Sequence, residues 1–466
     1  WAESYDRELT AANIFSIQSE MALAISGALK TTLTPEEKKR AGTAPTDNLE
    51  AWEAYQLGKH RMGRRTSETL LQAEEFFRRA LAIDPGFALA YVGLADTLQL
   101  QTFYGGAPRE TTRAEAIQMA EKARALQPEL AEAWASLANI AGQEQEFDAA
   151  DGMFRRAIEL NPNYATAHHW LSINLTSQGR PMEATEHARR AVELDPLSAV
   201  LNTNRAGILV NDGRFDEADT IFRKVIGIDP SMPWPYAGIA ILEAYVRNDF
   251  ASALEYQQKA LELDPGGQVQ AIQLAMFYTE LEEDAEVERL VSSAMEEWPD
   301  HPFGNGVAAF SYLSAGDIAK AERHARETYE ADPRSGLFVV RYFDIQKGDL
   351  ATAIVRHEQT FPELLASPPR VDSANYVDAI NLALVLQRSG KDARADALLS
   401  ASEKAIADLP RLGFGYGLAD AQIHALRGET NEALAALRVA GSFSLGDLAE
   451  AIGADPSTIS RNIQPL

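Results

Sequence analysis

Two adjacent histidines, His168 and His169, are the residues whose type could bind a metal ion, because imidazole is a common ligand of transition metals. They lie in a segment with helical patterning. Neighbouring residues on a helix point about 100° apart, so the pair cannot easily share one ion. No carboxylate follows at a suitable spacing. We therefore predict that these histidines serve helix packing, with no metal and no other cofactor.

Three glycines in the segment GFGYG, Gly413, Gly415 and Gly417, resemble a dinucleotide-binding loop in composition. Such a loop follows a strand and has the spacing GxGxxG, and neither feature occurs here. We predict instead that these glycines begin the first helix of the last helix pair. The sequence gives no other support for catalysis, so we predict no catalytic residues and no enzyme activity.

A basic run stands out in an acidic chain, and it comprises Lys59, His60, Arg61, Arg64 and Arg65. Such a run could receive an anionic segment or a phosphate group. The alternative, which we favour, is a solvated face that balances acidic neighbours such as Glu74 and Glu75.

The composition restricts the partners. The 43 Lys and Arg residues against 68 Asp and Glu residues give a formal net charge of -25, which repels phosphate backbones and anionic membranes and favours basic or neutral partners. The alternative is that the acidic surface serves solubility alone. The absence of cysteine excludes disulfides and thiolate zinc sites. No apolar run approaches the roughly 20 residues needed to span a bilayer, and no signal peptide is recognisable.

A repeating helical unit must position all of these residues. Prolines recur along the chain at near-regular spacing: Pro85, Pro128, Pro162, Pro196, Pro230, Pro265, Pro299 and Pro333. From Pro128 onward each step is 34 residues, except for one step of 35 between Pro230 and Pro265. A period of 34 residues with helical patterning is typical of stacked helix–turn–helix units. Because each unit contacts only its neighbours, 466 residues need no single large core.

The most regular unit shows why the period produces paired helices. Positions 4, 7, 8, 20, 24, 27 and 32 of a 34-residue frame are occupied by Trp134, Leu137, Ala138, Ala150, Phe154, Ala157 and Pro162. Small residues at positions 8, 20 and 27 let two antiparallel helices approach closely, and larger ones at 4, 7 and 24 fill the gaps. Proline at position 32 ends the second helix.

Later units keep this pattern, with Ala184, Ala191, Ala206, Ala218 and Phe222 at equivalent positions. Glycines mark the turn between the two helices, where a left-handed residue is favoured, at Gly179, Gly213, Gly348, Gly390 and Gly428. These recurring positions resemble the tetratricopeptide repeat family. The resemblance implies an all-α fold, a right-handed superhelix (α-solenoid) of about eleven helix pairs from Asn48 to about Ala440.

The regularity varies along the chain. The first unit has about three extra residues near Gly63 to Ser67, and the second has an insertion from Thr102 to Glu110, which we expect to form loops. Ser367-Pro368-Pro369 is predicted to be a break between units. We divide the chain into a regular array at 44–335 and a divergent array at 336–440.

Residues 1–43 are predicted to form a separate segment. Trp1 to Tyr5 is predicted to be a short strand, and Ile14 to Leu29 has apolar residues at helical spacing. The string WAESYDREL…IFSIQSEMALAISGAL resembles the end of the TolB-like (FlgO-like) domain that precedes repeat arrays in bacterial regulators. The resemblance implies a short α/β remnant here and an upstream effector: a nucleotide cyclase, a winged-helix DNA-binding domain or a kinase. Since the chain opens without methionine, we interpret it as a fragment or a processed chain.

The tetratricopeptide resemblance also implies a binding face, the concave surface lined by the first helix of each pair. Frame positions 5, 9, 12 and 13 project into it and select Val92, Asp96, Gln99, Asn139, Gln143, His169, Ile173, Thr203 and Asn211. We expect a mildly polar groove that binds a protein or peptide; the alternative is that these side chains are simply solvated. The Lys/Asn/Lys/Arg clamp of chaperone-binding relatives is missing, so capture of a terminal carboxylate is not predicted.

The end of the chain, 441–466, has a different pattern. SLGDLAEAIGADPSTISRNIQPL resembles the helix–turn–helix of MarR-like winged-helix repressors, in which Ser457, Thr458, Ser460 and Arg461 would face a major groove. Three acidic residues against one arginine give this segment a net charge of -2, whereas phosphate contacts normally supply most of the affinity. The alternative is a pair of capping helices that closes the exposed apolar end of the array.

The sequence therefore predicts a non-catalytic protein-binding scaffold, the sensory or binding half of a bacterial signalling or transcription-regulating protein. Two alternatives stay open: a DNA-binding regulator that uses the carboxy-terminal helices, and the regulatory region of a nucleotide cyclase or kinase. We predict the bacterial cytoplasm as its compartment, or the periplasm if an upstream region contains a membrane span.

Overall fold

The structure of the protein is a computed structural model. It describes positions 17, 20 and 21 and then residues 43–440, apart from gaps at 105–106, 108, 179, 282, 298–301, 315, 373–374 and 408–415. The three early positions are helical and fall within the helix predicted from Ile14 to Leu29. The predicted strand at Trp1 to Tyr5 and the segment that resembles a helix–turn–helix lie outside the described residues.

The described residues contain 22 α-helices in consecutive pairs and no strand. The helices are α1 Leu49–Met62, α2 Ser67–Ile83, α3 Ala88–Tyr104, α4 Arg109–Leu126, α5 Ala131–Gln143, α6 Phe147–Leu160, α7 Ala165–Ser177, α8 Pro181–Leu194, α9 Ala199–Asn211, α10 Phe215–Ile228, α11 Pro233–Ile241, α12 Phe250–Leu263, α13 Gln268–Glu280, α14 Asp284–Glu297, α15 Pro302–Ser314, α16 Ile318–Ala331, α17 Pro333–Gln346, α18 Leu350–Thr360, α19 Tyr376–Arg388, α20 Asp392–Ala405, α21 Tyr416–Leu426 and α22 Thr430–Ala440. This confirms the predicted all-α solenoid of helix pairs. It begins where expected, since the Asn48 side chain caps α1.

The prolines act at the ends of second helices. Asn161 follows α6 with φ −145° and ψ 90°, and Asp195 follows α8 with φ −140° and ψ 82°. Pro162 and Pro196 come next, and a proline disfavours helical backbone in the residue before it. The 34-residue spacing therefore determines where these helices end.

Left-handed backbone occurs at the turns between paired helices, as predicted. Gly213 has a φ of 72°, and the other turn glycines with positive φ include Gly348, Gly390 and Gly428. Gly179 lies outside the described residues. Gln145 takes the equivalent turn after α5 with a φ of 61°, so a residue with a side chain also adopts this conformation here, at some cost in energy.

The core depends on aromatic rings that face glycines. Phe77 on α2 is fully buried, and its ring lies between Gly58 on α1 and Gly93 on α3. A Cβ atom built on Gly93 would lie 2.4 Å from Cε1 of that ring, which is too close for a real contact. Phe222 repeats the arrangement against Gly238, at 2.4 Å. A second helix thus packs its ring against the first helix of the next pair.

The insertion in the second pair lengthens its helices. α3 has 17 residues and α4 has 18, compared with 13 and 14 in α5 and α6. The predicted loop from Thr102 to Glu110 is therefore helical at both ends, because α3 runs to Tyr104 and α4 starts at Arg109. Continuing a helix satisfies the backbone hydrogen bonds that an open loop would leave to water.

A short π-helix at Leu242–Val246 explains the single step of 35 residues. It continues α11, and the backbone amide of Arg247 donates to the carbonyl of Leu242 at 3.0 Å, five residues back. A π-turn accommodates one extra residue within a helix. The extra residue between Pro230 and Pro265 is therefore taken up inside the sixth pair.

The chain divides into two compact units, with the boundary between Ala167 and His168. Unit 1 includes the three pairs from α1–α2 to α5–α6 and the first residues of α7. Unit 2 includes the rest of α7, its partner α8 and all later pairs. Within unit 2, a 3₁₀-helix at Pro362–Leu365 follows α18, and no α-helix appears among the described residues until α19. This confirms the break predicted at Ser367-Pro368-Pro369. The sequence analysis divided the array elsewhere, into 44–335 and 336–440. That division differs from the two compact units and stays a prediction.

Candidate functional site

The first helices of unit 1 lie side by side. α1 contacts α3, and α3 contacts α5, in addition to the second helix of each pair. Side chains on neighbouring first helices therefore meet on one face. This is the arrangement in which the predicted binding residues of unit 1 would act together.

Four polar side chains on α3 and α5 form a connected group that we call the polar seam: Asp96, Gln99, Ser136 and Asn139. The Asn139 side-chain amide donates to the Gln99 side-chain oxygen at 2.7 Å. The Gln99 amide in turn lies 3.5 Å from the Ser136 hydroxyl, at the long limit of a hydrogen bond. The structure thus brings three predicted binding residues, Asp96, Gln99 and Asn139, together with Ser136.

Asp96 is the most unusual member of the polar seam. The residue is 5% exposed, and its Oδ1 atom has no hydrogen-bond partner. Burial and, to a smaller extent, the charge of Glu132 raise the pKa of the Asp96 carboxyl from its ordinary value of 3.8 to about 7. Hydrogen bonding to Ser136 and the charge of Arg65 act in the opposite direction.

Part of the basic run lies against aromatic rings near the polar seam. The ammonium group of Lys59 is 5.9 Å from the centre of the Tyr55 ring, and the guanidinium of Arg65 is 5.6 Å from that of Tyr104. Both distances are within the range of cation–π attraction. Arg65 is only 8% exposed, so the interpretation of the run as a solvated face does not extend to this residue.

Burial also affects two tyrosines whose pKa responds to the seam. The pKa of the Tyr164 phenol is raised well above its usual value, first by burial and then by the charges of Glu132 and Asp96. The pKa of Tyr55 is raised by the same three causes. Both phenols therefore stay protonated and can donate hydrogen bonds.

A small cavity adjoins the polar seam, with a volume of about 10 Å³. Its lining includes Gln99, Thr102, Arg113, Gln143 and Glu144. Arg113 and Glu144 form an ion pair across 3.2 Å at its edge. A space of this size holds about one water molecule and no small-molecule ligand. The described face of unit 1 around the polar seam is thus polar and contains a small recess.

The remaining predicted residues differ in exposure. Val92 is buried and packs with Ala123 and Ala133 in unit 1. In unit 2, Ile173 is 41% exposed, and His169 is buried. Three further residues are half-buried or exposed, namely Thr203, Asn211 and, in unit 1, Gln143. Of the nine predicted residues, Asp96, Gln99 and Asn139 alone belong to the polar seam.

The histidines lie in a packing environment. His168 is 7% exposed, and its Nδ1 atom lies 2.9 Å from Nδ1 of His187 on α8, with the two rings stacked. Across the part of the chain that the structure describes, no group of three or more His, Cys, Asp or Glu side chains is placed to hold a metal ion.

Sequence reasoning missed two residues at the seam, Ser136 and Glu132. They occupy frame positions 6 and 2, whereas the sequence analysis projected only positions 5, 9, 12 and 13 toward the binding face. The acidic side chain of Glu132 at the start of α5 influences Asp96, Tyr55 and Tyr164 alike. For Ser136 the sequence did contain a signal, because a polar residue at frame position 6 directly follows position 5 on the predicted binding face.

Two further observations concern the rest of the chain. Within the described helices, none is long and apolar enough to cross a membrane. The four predicted DNA-contacting residues lie outside the described part of the chain: Ser457, Thr458, Ser460 and Arg461. Gly417 lies in α21, as predicted, whereas Gly413 and Gly415 are also outside it.

A family profile for the tetratricopeptide repeat matches residues 131–164 and 199–232. These segments contain pairs α5–α6 and α9–α10, so the chain contains tetratricopeptide repeats. A protein of Rhizobium meliloti (strain 1021) named "Putative adenylate cyclase 3" is 31% identical over 117 residues, which are 24% of this chain. The match spans about a fifth of that relative, 20% of its length.

Several solved structures resemble the chain over part of its length. PilF of Pseudomonas aeruginosa is 19% identical, with 47% of this chain and 98% of that chain covered and a TM-score of 0.36. PilW, described as a type IV pilus biogenesis factor, is 17% identical, with 46% and 97% covered and a TM-score of 0.35. YrrB, described as a TPR protein with an unusual peptide-binding site, is 23% identical, with 41% and 92% covered and a TM-score of 0.27.

Proposed function

We propose that this protein is a non-catalytic scaffold that binds a segment of a partner protein along the face of its first helices in unit 1. The observation that carries the proposal is the polar seam. In it, the buried Oδ1 atom of Asp96 has no hydrogen-bond partner, although amide and hydroxyl groups of two adjacent helices lie nearby. A packed core rarely leaves a buried polar atom unsatisfied, whereas a binding face supplies its partner from another molecule. The repeats support the proposal, since such arrays present extended binding surfaces.

The remaining predicted residues belong to the same proposal in unit 2. Ile173 on α7 and Thr203 and Asn211 on α9 would contact a partner segment along the first helices of unit 2. His169 is buried, so in this proposal it would position the surrounding side chains and would not contact the partner itself.

A selection experiment tests the proposed function. A phage-displayed library of random ten-residue peptides is panned on the chain, and the selected peptides are tested on the double variant Gln99→Ala/Asn139→Ala. We expect enrichment on the wild-type chain and weaker binding to the double variant. Arg155→Ala, on the exposed side of α6, is the matched control and should bind normally. Failure to enrich any peptide, or equal binding to all three proteins, contradicts the proposal.

We further propose that the chain is the regulatory region of a larger bacterial signalling protein in the cytoplasm. The alignment with the cyclase-named protein of Rhizobium meliloti supports a nucleotide cyclase as the effector, over 117 residues. The coding sequence upstream of Trp1 tests this directly. A cyclase, kinase or winged-helix domain in the same reading frame supports it; a start codon immediately before Trp1 contradicts it. A membrane span in that upstream sequence would favour the periplasm instead.

A further inference from the structure

One carboxylate oxygen in the polar seam has no hydrogen-bond partner. The side chain of Asp96 is 95% removed from solvent, since the residue is only 5% exposed, and its Oδ1 atom accepts no hydrogen bond. Ser136 bonds to the Asp96 carboxyl, and the other two seam residues are engaged elsewhere. The Gln99 amide also lies 3.4 Å from the carbonyl of Ala95, and the Asn139 amide donates to Gln99. The missing donor is therefore not supplied by the groups around it.

An unpartnered buried carboxylate is costly. Leaving a buried acceptor without a donor costs about 1–3 kcal/mol, and more when the group is charged. A fold that serves packing alone would place an apolar side chain here, as it does at Val92 one turn earlier on the same helix, which is 4% exposed. Asp96 thus has the properties of a group whose partner comes from another molecule.

The charges around Asp96 show which donor fits. Glu132 on α5 adds a second negative charge to its surroundings, and the charges of Arg65 and Lys59 act in the opposite direction. The positive groups of Lys59 and Arg65 lie over the rings of Tyr55 and Tyr104. Around this network the whole chain has a net charge of -25. A carboxylate in such surroundings binds a positively charged donor more strongly than a neutral one.

We propose that Asp96 receives the side chain of a lysine or arginine from the bound partner segment. The inference rests on the proposed function, because it names the chemistry that the polar seam of unit 1 recognises. The incoming cation donates to Oδ1 of Asp96, and its charge is balanced by the Asp96 carboxylate.

The test uses peptides selected on the full chain from a library of random ten-residue sequences. We expect one position of the selected peptides to be lysine or arginine in nearly all clones. Replacing that residue by glutamine in the best peptide should weaken binding about 10- to 100-fold, as expected for a hydrogen bond between charged groups. The variant Asp96→Asn should weaken binding of the basic peptide by a similar factor but leave the glutamine peptide unaffected.

A matched control separates recognition from general charge. Asp148→Asn removes the same charge from an exposed position on α6 and should leave the affinity unchanged. Circular dichroism of Asp96→Asn confirms that the variant is folded. Selected peptides without a basic position, or equal affinity of the basic peptide for wild type and Asp96→Asn, would overturn this inference while leaving binding by the first helices intact. A library that yields no binders would instead remove the proposed function itself.

Discussion

The buried carboxyl of Asp96 makes the stability of unit 1 depend on pH. Its pKa is about 7 in the folded chain and has an ordinary value of 3.8 when exposed. Between these values the folded form holds a proton that the unfolded form has lost, so the free energy of unfolding falls as pH rises. The loss is about 1.4 kcal/mol for each pH unit, or about 4 kcal/mol in total, and it is complete by about pH 8.

The substitution Asp96→Asn keeps the shape of the side chain and removes the titration. Asparagine introduces its own buried amide, whose cost does not change with pH. We therefore expect the wild-type protein to lose about 3 to 4 kcal/mol relative to Asp96→Asn between pH 4 and pH 8. Below about pH 3 the difference between the two proteins should be constant, because Asp96 is protonated in both the folded and the unfolded chain.

Urea unfolding followed by circular dichroism at several pH values measures this difference. Hydrogen exchange of the α3 amides assigns the effect to unit 1, which matters because repeat arrays often unfold in parts. Asp148→Asn, at an exposed position, is the control and should show no such pH dependence relative to wild type. If wild type and Asp96→Asn differ by the same amount at pH 4 and pH 8, the reasoning from burial is refuted.

Three further predictions concern packing and paired charges, and urea unfolding checks each. Gly93→Ala should destabilise the fold by about 1–3 kcal/mol, because its Cβ would meet the buried ring of Phe77 at 2.4 Å. Gly152→Ala should stabilise it by about 0.5–1 kcal/mol, since nothing lies within 4 Å; equal effects of these two substitutions would contradict the packing. Arg356→Met should cost about 3 kcal/mol by leaving Asp344, whose side chain is 3% exposed, without its ion pair at 2.5 Å; an unchanged midpoint would refute this.

The sequence predicted the fold because its period and its helix ends depend on local chemistry. A proline determines the backbone of the residue before it, and a glycine favours the left-handed turn, so both features are visible without knowledge of the rest of the chain. Asn48 and Ala440 were accordingly predicted as the limits of the array. The loop predicted at Thr102 to Glu110 was wrong at both ends, because a helix extension and a loop have similar local patterns.

The candidate site was predicted in part. Asp96, Gln99 and Asn139 were selected from a periodic projection, which works because a helix places fixed positions on one face. The contributions of Ser136 and Glu132 depend on how far α5 is shifted along α3, and no single-helix pattern contains that offset. Likewise, the burial of Arg65 depends on Tyr104, which is 39 positions later in the chain.

The π-helix in the sixth pair has a consequence for how the array tolerates changes in length. An extra residue within an ordinary α-helix rotates everything beyond it by about 100°, which would turn the apolar stripe away from its neighbour. Widening one turn at Leu242–Val246 confines that rotation to a few residues. The pairs that follow stay in phase, as the return to 34-residue steps after Pro265 shows. Deleting one residue there should convert the wide turn into ordinary helix and leave the downstream stacking undisturbed.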